Sequence, residues 1–205
     1  MLVRTLRHYV PVSRKRRVKR LFDVLLSSVL LLITLPVTVL TAILIILENP
    51  GPIFYRQRRI GECGRPFALL RFRDTFAGTD PERRTSETPV RFTRVGAVIH
   101  RLSIDELPQL LNILRGEMSF VGPRPERPAI ANHISRRHAY YPERHAVKPG
   151  ITGWAQMRHP SSSPLMDAKE KLQEDRYYTE HDSLGVDLLI LGQTVRRVLF
   201  GKGAH

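Results

Sequence analysis

Residues 24–47 read VLLSSVLLLITLPVTVLTAILIIL, a stretch without a charged side chain that Asp23 and Glu48 close at either end. As one helix it measures about 36 Å, against a bilayer hydrocarbon core of roughly 30 Å. A secretory signal would have a shorter apolar part and a small-residue cleavage site. Neither is visible, so the segment is expected to stay in the membrane. Pro36 stands in its middle, where it removes a helical hydrogen bond and favours a kink. Basic residues lie on both flanks: Arg14, Lys15, Arg16, Arg17, Lys19 and Arg20 before, and Arg56, Arg58, Arg59, Arg65, Arg71 and Arg73 after. Lys and Arg mark the cytoplasmic flank of a membrane helix, so a simple crossing puts one cluster on the unfavoured side. A helix that enters, bends at Pro36 and returns satisfies both. A kinked helix that crosses stays open as the alternative, because membrane helices tolerate Pro.

Charge says what the rest of the chain meets. The 205 residues hold 33 Lys+Arg against 19 Asp+Glu, a net charge of +14, which calls for nucleic acid, acidic phospholipid or a phosphorylated substrate as partner. No reading helix or stacking platform accompanies the charge, so nucleic acid is set aside. Cys63 is the sole cysteine, which excludes an internal disulfide and a Cys-based metal cluster and fits a reducing compartment. There is no Gly-x-x-x-x-Gly-Lys-Ser/Thr loop, no Gly-x-Gly-x-x-Gly and no His-Glu-x-x-His, and the His residues show no metal-ligand spacing.

Beyond the apolar stretch, Asn49-Pro50-Gly51-Pro52 reads as a turn, 53–56 and 67–72 as strands, and 77–89 as a polar loop. Residues 107–114 read as a compact apolar helix ending near Gly116, and 129–140 as a helix. Gly122-Pro123-Arg124-Pro125 and 148–153 read as loops. Residues 167–180 are expected to form a polar helix and 184–200 an amphipathic one, whose stripe of Leu184, Leu188, Leu191, Val195, Val198 and Leu199 suits core and membrane surface equally. The expected fold is α+β and mostly helical. It comprises a basic segment 1–20, a re-entrant membrane helix 21–48 and a small catalytic domain 49–205 with interfacial amphipathic helices.

Ser103-Ile104-Asp105-Glu106-Leu107-Pro108 carries the chemistry. Pro is comfortable only in the first helical turn, so Pro108 predicts a helix starting near Asp105, with Asp105 and Glu106 at its positive end. One reading is capping, in which Asp105 satisfies a free N–H and Glu106 complements the dipole. The other is a carboxylate held ionised where phosphate and Mg²⁺ are also attracted, able to attack phosphorus once charge is offset. Arg124 between two prolines loses little backbone entropy when it grips an anion.

Taken together the sequence resembles the bacterial sugar transferases, the monotopic polyprenyl-phosphate phosphoglycosyl transferases. The likeness runs from about Lys19 to Gly203. It rests on Lys19-Arg20-Leu21-Phe22-Asp23, Gly51-Pro52-Ile53-Phe54-Tyr55-Arg56-Gln57, Arg71-Phe72-Arg73, Thr93-Arg94-Val95-Gly96 and the hexapeptide above. Gly116-Glu117-Met118-Ser119, Val121 to Pro128, Lys148 to Gln156 and Asp187-Leu188-Leu189-Ile190-Leu191 extend it. The resemblance implies a helix-break-helix dipping into the bacterial inner membrane, with the catalytic domain on the cytoplasmic face beside anionic phospholipid. It implies Asp105 as the nucleophile on the β-phosphorus of a UDP-sugar, UMP release, and passage of the sugar phosphate to polyprenyl (undecaprenyl) phosphate in exopolysaccharide assembly. Glu106 then assists with metal and proton, Mg²⁺ sits at Asp105 and Glu106, and Arg124, Arg101, Arg71, Arg73 and Gln156 bind substrate phosphate. A homodimer is left open.

Four departures stand out. Asp74-Thr75 follows Arg71-Phe72-Arg73 where the family usually has Ser/Thr-Met, and His100 stands where an Arg usually precedes the Asp by five. Leu35 replaces a frequent Ser before Pro36, and Met157-Arg158-His159-Pro160 replaces Asn-Gly-Arg. The first two alter expected anion contacts and raise a rival reading, a membrane-tethered scaffold of the same fold with weakened catalysis. The last, with Glu126-Arg127-Pro128 and Gly201-Lys202-Gly203, resembles the exopolysaccharide branch and points to UDP-glucose or UDP-galactose.

Overall fold

The computed structural model describes residues 14–76, 91–158 and 168–200. The expected loop 77–89, His159-Pro160 and Gly201-Lys202-Gly203 lie outside them.

Helix α1 (Arg14–Glu48) takes in the last seven residues of the basic segment and the whole apolar stretch, and stays helical through Pro36. Among the described residues it alone is long and apolar enough to cross a membrane. Its hydroxyls are satisfied within the helix: Ser28 donates to the Val24 carbonyl, Thr34 to Leu30 and Thr38 to Thr34 at 2.8, 2.7 and 2.9 Å. A helix in hydrocarbon needs that, since no water is there to bond them.

Both ends of α1 are bound to one folded body. Near the start, Lys19 donates to the Val121 carbonyl at 3.2 Å and pairs with Asp187. Asp23, fully buried, accepts from Ser119 Oγ and Phe120 N at 3.0 and 3.2 Å. At the finish, Glu48 accepts from the backbone N–H groups of Arg94 and Val95 at 2.6 and 2.9 Å, and Ile45 packs with Phe72 and Ile99. Leu32 and Ile33, between these anchors, are 75% and 67% exposed.

Strands β1 (Phe54–Ile60) and β2 (Pro66–Phe72) form an antiparallel hairpin, with Phe54 opposite Phe72 and Ile60 opposite Pro66. The first strand is longer than the expected 53–56, because Arg56, Arg58 and Arg59 disguise the alternation that Gln57 completes by burial. Helix α2 (Arg94–Arg101) begins at Thr93, whose side chain accepts from Gly96 N. Gly96 lies so close to the Asp74 backbone that a Cβ would collide with the Asp74 carbonyl.

A 3₁₀ turn (Ile104–Glu106) follows Ser103, which sits at φ 56°, and leads into α3 (Gln109–Arg115). The α-helix therefore starts after Pro108, later than expected. Strands β3 (Ser119–Val121) and β4 (Gly150–Thr152) pair in parallel, β4 within the expected loop 148–153 and β3 just before the expected loop at Gly122. Between them come α4 (Pro128–Arg137) and a 3₁₀ turn (Tyr141–Ala146), and after them α5 (Trp154–Arg158), α6 (Ala168–Glu180) and α7 (Leu184–Phe200). The main core gathers Leu69, Leu110, Ile113, Met118, Phe120 and Ile190, so the hairpin, α3, β3 and α7 share it. The fold is α+β and mostly helical. Exposed Leu188, Leu189 and Val195 give α7 an apolar outer face besides its buried Ile190.

Candidate active site

Asp105 is 1% exposed, at the middle of the 3₁₀ turn. Its carboxylate does not cap the turn. It takes the guanidinium of Arg71, which reaches in from β2 and also lies 3.4 Å from Glu106. Arg124, on the proline-bounded loop after β3, stands 3.7 Å from the same Glu106. Burial pushes the Asp105 carboxyl above the usual carboxylate range, opposed by the Arg71 charge and reinforced by Glu106. Burial also works against the charge on Arg71, but Glu106 and Asp105 outweigh it and hold its pKa above the ordinary value.

Arg59 adds to this group from β1. It donates to the Pro125 carbonyl at 3.0 Å and so braces the Arg124 loop from behind. Burial, then the charges of Arg127, Arg124 and Arg71, bring it down to about 10, with Glu126 opposing. The positive charge around Arg59 is one that an incoming phosphate would relieve.

His100, at the end of α2, lies 3.5 Å from Asp74 and 3.6 Å from Asp105, measured from Nδ1 to Oδ2 in each case. Asp74 is held there by its backbone, whose carbonyl accepts from Thr93 N at the start of the same helix. The two departures from the family pattern thus meet each other and the buried carboxylate.

Of the residues singled out in the sequence, Asp105, Glu106, Arg71 and Arg124 come together. Arg73 is buried and bonds the Ile45 and Asn49 carbonyls, which fastens the end of α1. Arg101 is exposed on α2 and enters none of these ion pairs. Gln156 is on α5, donating to the Ile151 carbonyl at 3.2 Å, with its buried Oε1 lacking a partner. Arg59, Arg144 and Asp175 were given no site role from the sequence; Arg59 stood only in the basic run Arg56, Arg58, Arg59.

With this geometry in hand, the bacterial sugar transferase family model matches residues 14–201. The chain belongs to that family. An Aeromonas hydrophila protein named UDP-N-acetylgalactosamine-undecaprenyl-phosphate N-acetylgalactosaminephosphotransferase is 39% identical, over 92% of this chain and 45% of its own. The undecaprenyl-phosphate glucose phosphotransferase of Komagataeibacter xylinus is 40% identical, over 91% of this chain and 36% of its own. An uncharacterized sugar transferase of Bacillus subtilis is 39% identical over 90% of this chain and 89% of its own. The chain thus spans less than half the length of the first two relatives and most of the third.

Proposed function

We propose that this bacterial sugar transferase moves a sugar 1-phosphate from a UDP-sugar to polyprenyl phosphate and releases UMP. The observation that carries the reading is a buried carboxylate, Asp105, paired with Arg71 and next to Glu106, which Arg124 approaches. An Asp105 oxygen attacks the β-phosphorus of the UDP-sugar, the bond from that phosphorus to the bridging oxygen breaks, and UMP leaves. A phosphate oxygen of the polyprenyl phosphate then attacks the same phosphorus, the acyl-phosphate bond breaks, and Asp105 is regenerated with a sugar-diphospho-lipid as product.

Each side chain has a part in this. Burial keeps water from the acyl phosphate, Arg71 holds the attacking oxygen in place, and Arg124 and Arg59 gather the diphosphate. Asp105 and Glu106 supply the oxygen donors that Mg²⁺ takes, so the residues fit that ion. When bound, it offsets the negative charge on carboxylate and diphosphate. The rival scaffold reading drew on Asp74 and His100, yet both reach Asp105 with the Arg71 pair intact.

The names of the relatives support undecaprenyl phosphate as acceptor and glucose or N-acetylgalactosamine as the sugar, and the sequence pattern favours a hexose such as glucose or galactose. The membrane segment is read as re-entrant, with the catalytic domain on the cytoplasmic face. Supporting that reading, both ends of α1 are tied to one body and the part around Pro36 is left bare.

The test uses the full chain in detergent, given UDP-glucose, UDP-galactose or UDP-N-acetylgalactosamine with undecaprenyl phosphate and Mg²⁺. UMP release is expected with a hexose donor. Asp105→Asn is expected to lose several decades of rate and Glu106→Gln to be severely slowed. Without acceptor, label from a β-³²P donor should stay on the wild-type protein and not on Asp105→Asn. Retention of more than about a tenth of the rate by Asp105→Asn would remove the nucleophile assignment.

A further inference from the structure

Asp74, His100 and Asp105 each turn one donor atom to a common point, all three within 4.8 Å of one another. They come from three places in the chain: the end of the hairpin, the last turn of α2 and the 3₁₀ turn. Two of the three separations are 3.5 and 3.6 Å. Neighbouring donors at about 2.2 Å from one cation in octahedral array stand about 3.1 Å apart, so those two edges lie within about 0.5 Å of the spacing a metal demands. Asp74 and Asp105 are both more than nine-tenths buried. Backbone contacts fix the arrangement, through the bond from Thr93 N to the Asp74 carbonyl and the close approach of Gly96.

We infer that these three residues form a divalent-cation site of mixed donors, two carboxylates and an imidazole, that prefers a transition ion such as Mn²⁺ over Mg²⁺. The chemistry follows from the donors. Carboxylate oxygens accept Mg²⁺ and Mn²⁺ alike, whereas an imidazole nitrogen suits transition ions and is a poor ligand for Mg²⁺. An Arg at position 100, as the family pattern usually has, offers no lone pair. A Ser or Thr at position 74 offers a weak neutral oxygen. His100 and Asp74 convert that wall of the site from anion-facing to cation-facing. Arg71 already occupies the same Asp105 oxygen, so the ion shares that oxygen with the guanidinium or displaces it, with Glu106 and Arg124 standing on the substrate side.

The inference rests on the proposed transfer and moves its cation from the Asp105 and Glu106 pair to Asp74, His100 and Asp105; its test reads binding instead of transfer, so the two fail separately. Mn²⁺ is titrated into the full chain in detergent, and free ion is followed by its electron paramagnetic resonance signal. The wild-type chain is expected to bind one Mn²⁺ that a hundredfold excess of Mg²⁺ does not remove. His100→Arg and Asp74→Asn are each expected to weaken Mn²⁺ binding about tenfold or more, since even outer partners of metal ligands move affinity that far. Pulsed spectra of bound Mn²⁺ on the unsubstituted protein should show coupling to an imidazole ¹⁴N, a readout that stands even where a variant fails to fold. Absence of that coupling, or equal competition by Mg²⁺, would overturn the assignment and leave a cation held by Asp105 and Glu106 alone.

Discussion

Arg144 is buried one step behind Arg124. Its guanidinium donates to the Arg124 carbonyl at 3.0 Å and to Tyr141 Oη at 3.0 Å, and pairs with Asp175 at 2.7 Å. Burial works against its charge, but Asp175 and Tyr141 more than restore it, so the charge is permanent. The adjacent His145 is driven down to about 3, first by burial and then by Arg144, and its ring meets Tyr141 edge-on at 5.4 Å. Between the ordinary value of 6.5 and about 3, the unfolded chain takes a proton at this position and the folded chain does not. Stability contributed here is therefore present above pH 6.5 and lost as pH falls, by at most about 1.4 kcal/mol per pH unit. Asp175 titrates nearby with a pKa raised by burial and eased by Arg144, so it acts in the opposite sense. The difference between two proteins isolates the histidine. Urea unfolding of the wild type and of His145→Gln between pH 6.5 and 4.5 should give a steeper fall for the wild type, and equal slopes would refute the assignment.

Two short strands decide where Arg124 stands. Gly122 N donates to the Thr152 carbonyl at 2.9 Å and Gly150 N to the Pro123 carbonyl at 3.1 Å, closing the proline-bounded loop onto β4. A Cβ on Gly122 would collide with the Lys148 carbonyl and crowd Gly150 N at 2.9 Å, neither of which can yield. Gly122→Ala is expected to cost about 3 kcal/mol, the upper end for overpacking, read as a lower denaturation midpoint. A midpoint within about 0.5 kcal/mol of the wild type would show that the strands part easily. The same elements show what the sequence held. Residues 107–114, 167–180 and 184–200 declare themselves by apolar spacing or by Gly116, and the structure has helices at Gln109–Arg115, Ala168–Glu180 and Leu184–Phe200. The parallel pair β3 and β4 was illegible because strands of three residues show no alternation, and their Gly and Pro neighbours read as loop. Helix α2 was also missed, since its start depends on Glu48 and Thr93, far apart in sequence, meeting its free N–H groups. At the site, the Asp105–Glu106 pair and Arg124 stood out locally. The convergence of Asp74 and His100 on Asp105 rests on tertiary packing that no spacing reveals.

For the whole molecule, the question is on which side of the bilayer each end of α1 lies. Residues 23 and 45 are about 33 Å apart along a straight helix, enough to put them on opposite faces. Yet Asp23 is locked to β3, Lys19 to Asp187, Ile45 to Phe72 and Glu48 to the start of α2, all on one body. A crossing would have to break one of these sets, and breaking the first would leave buried Asp187 without Lys19, at a cost of several kcal/mol. The net charge of +14 acts in the same direction, because basic residues on both flanks favour the cytoplasmic side. In the re-entrant arrangement proposed above, the bare apolar surface around Leu32 and Ile33 is the part that dips into the near leaflet. Cysteines replacing the exposed Arg17 and Arg65, each on a Cys63→Ser background, can be probed with a membrane-impermeant thiol reagent on intact spheroplasts. Neither is expected to label until the membrane is opened, after which both should. Labelling of Arg17→Cys from outside, with Arg65→Cys protected, would show that α1 crosses and that its first anchors on the domain are not made in the membrane.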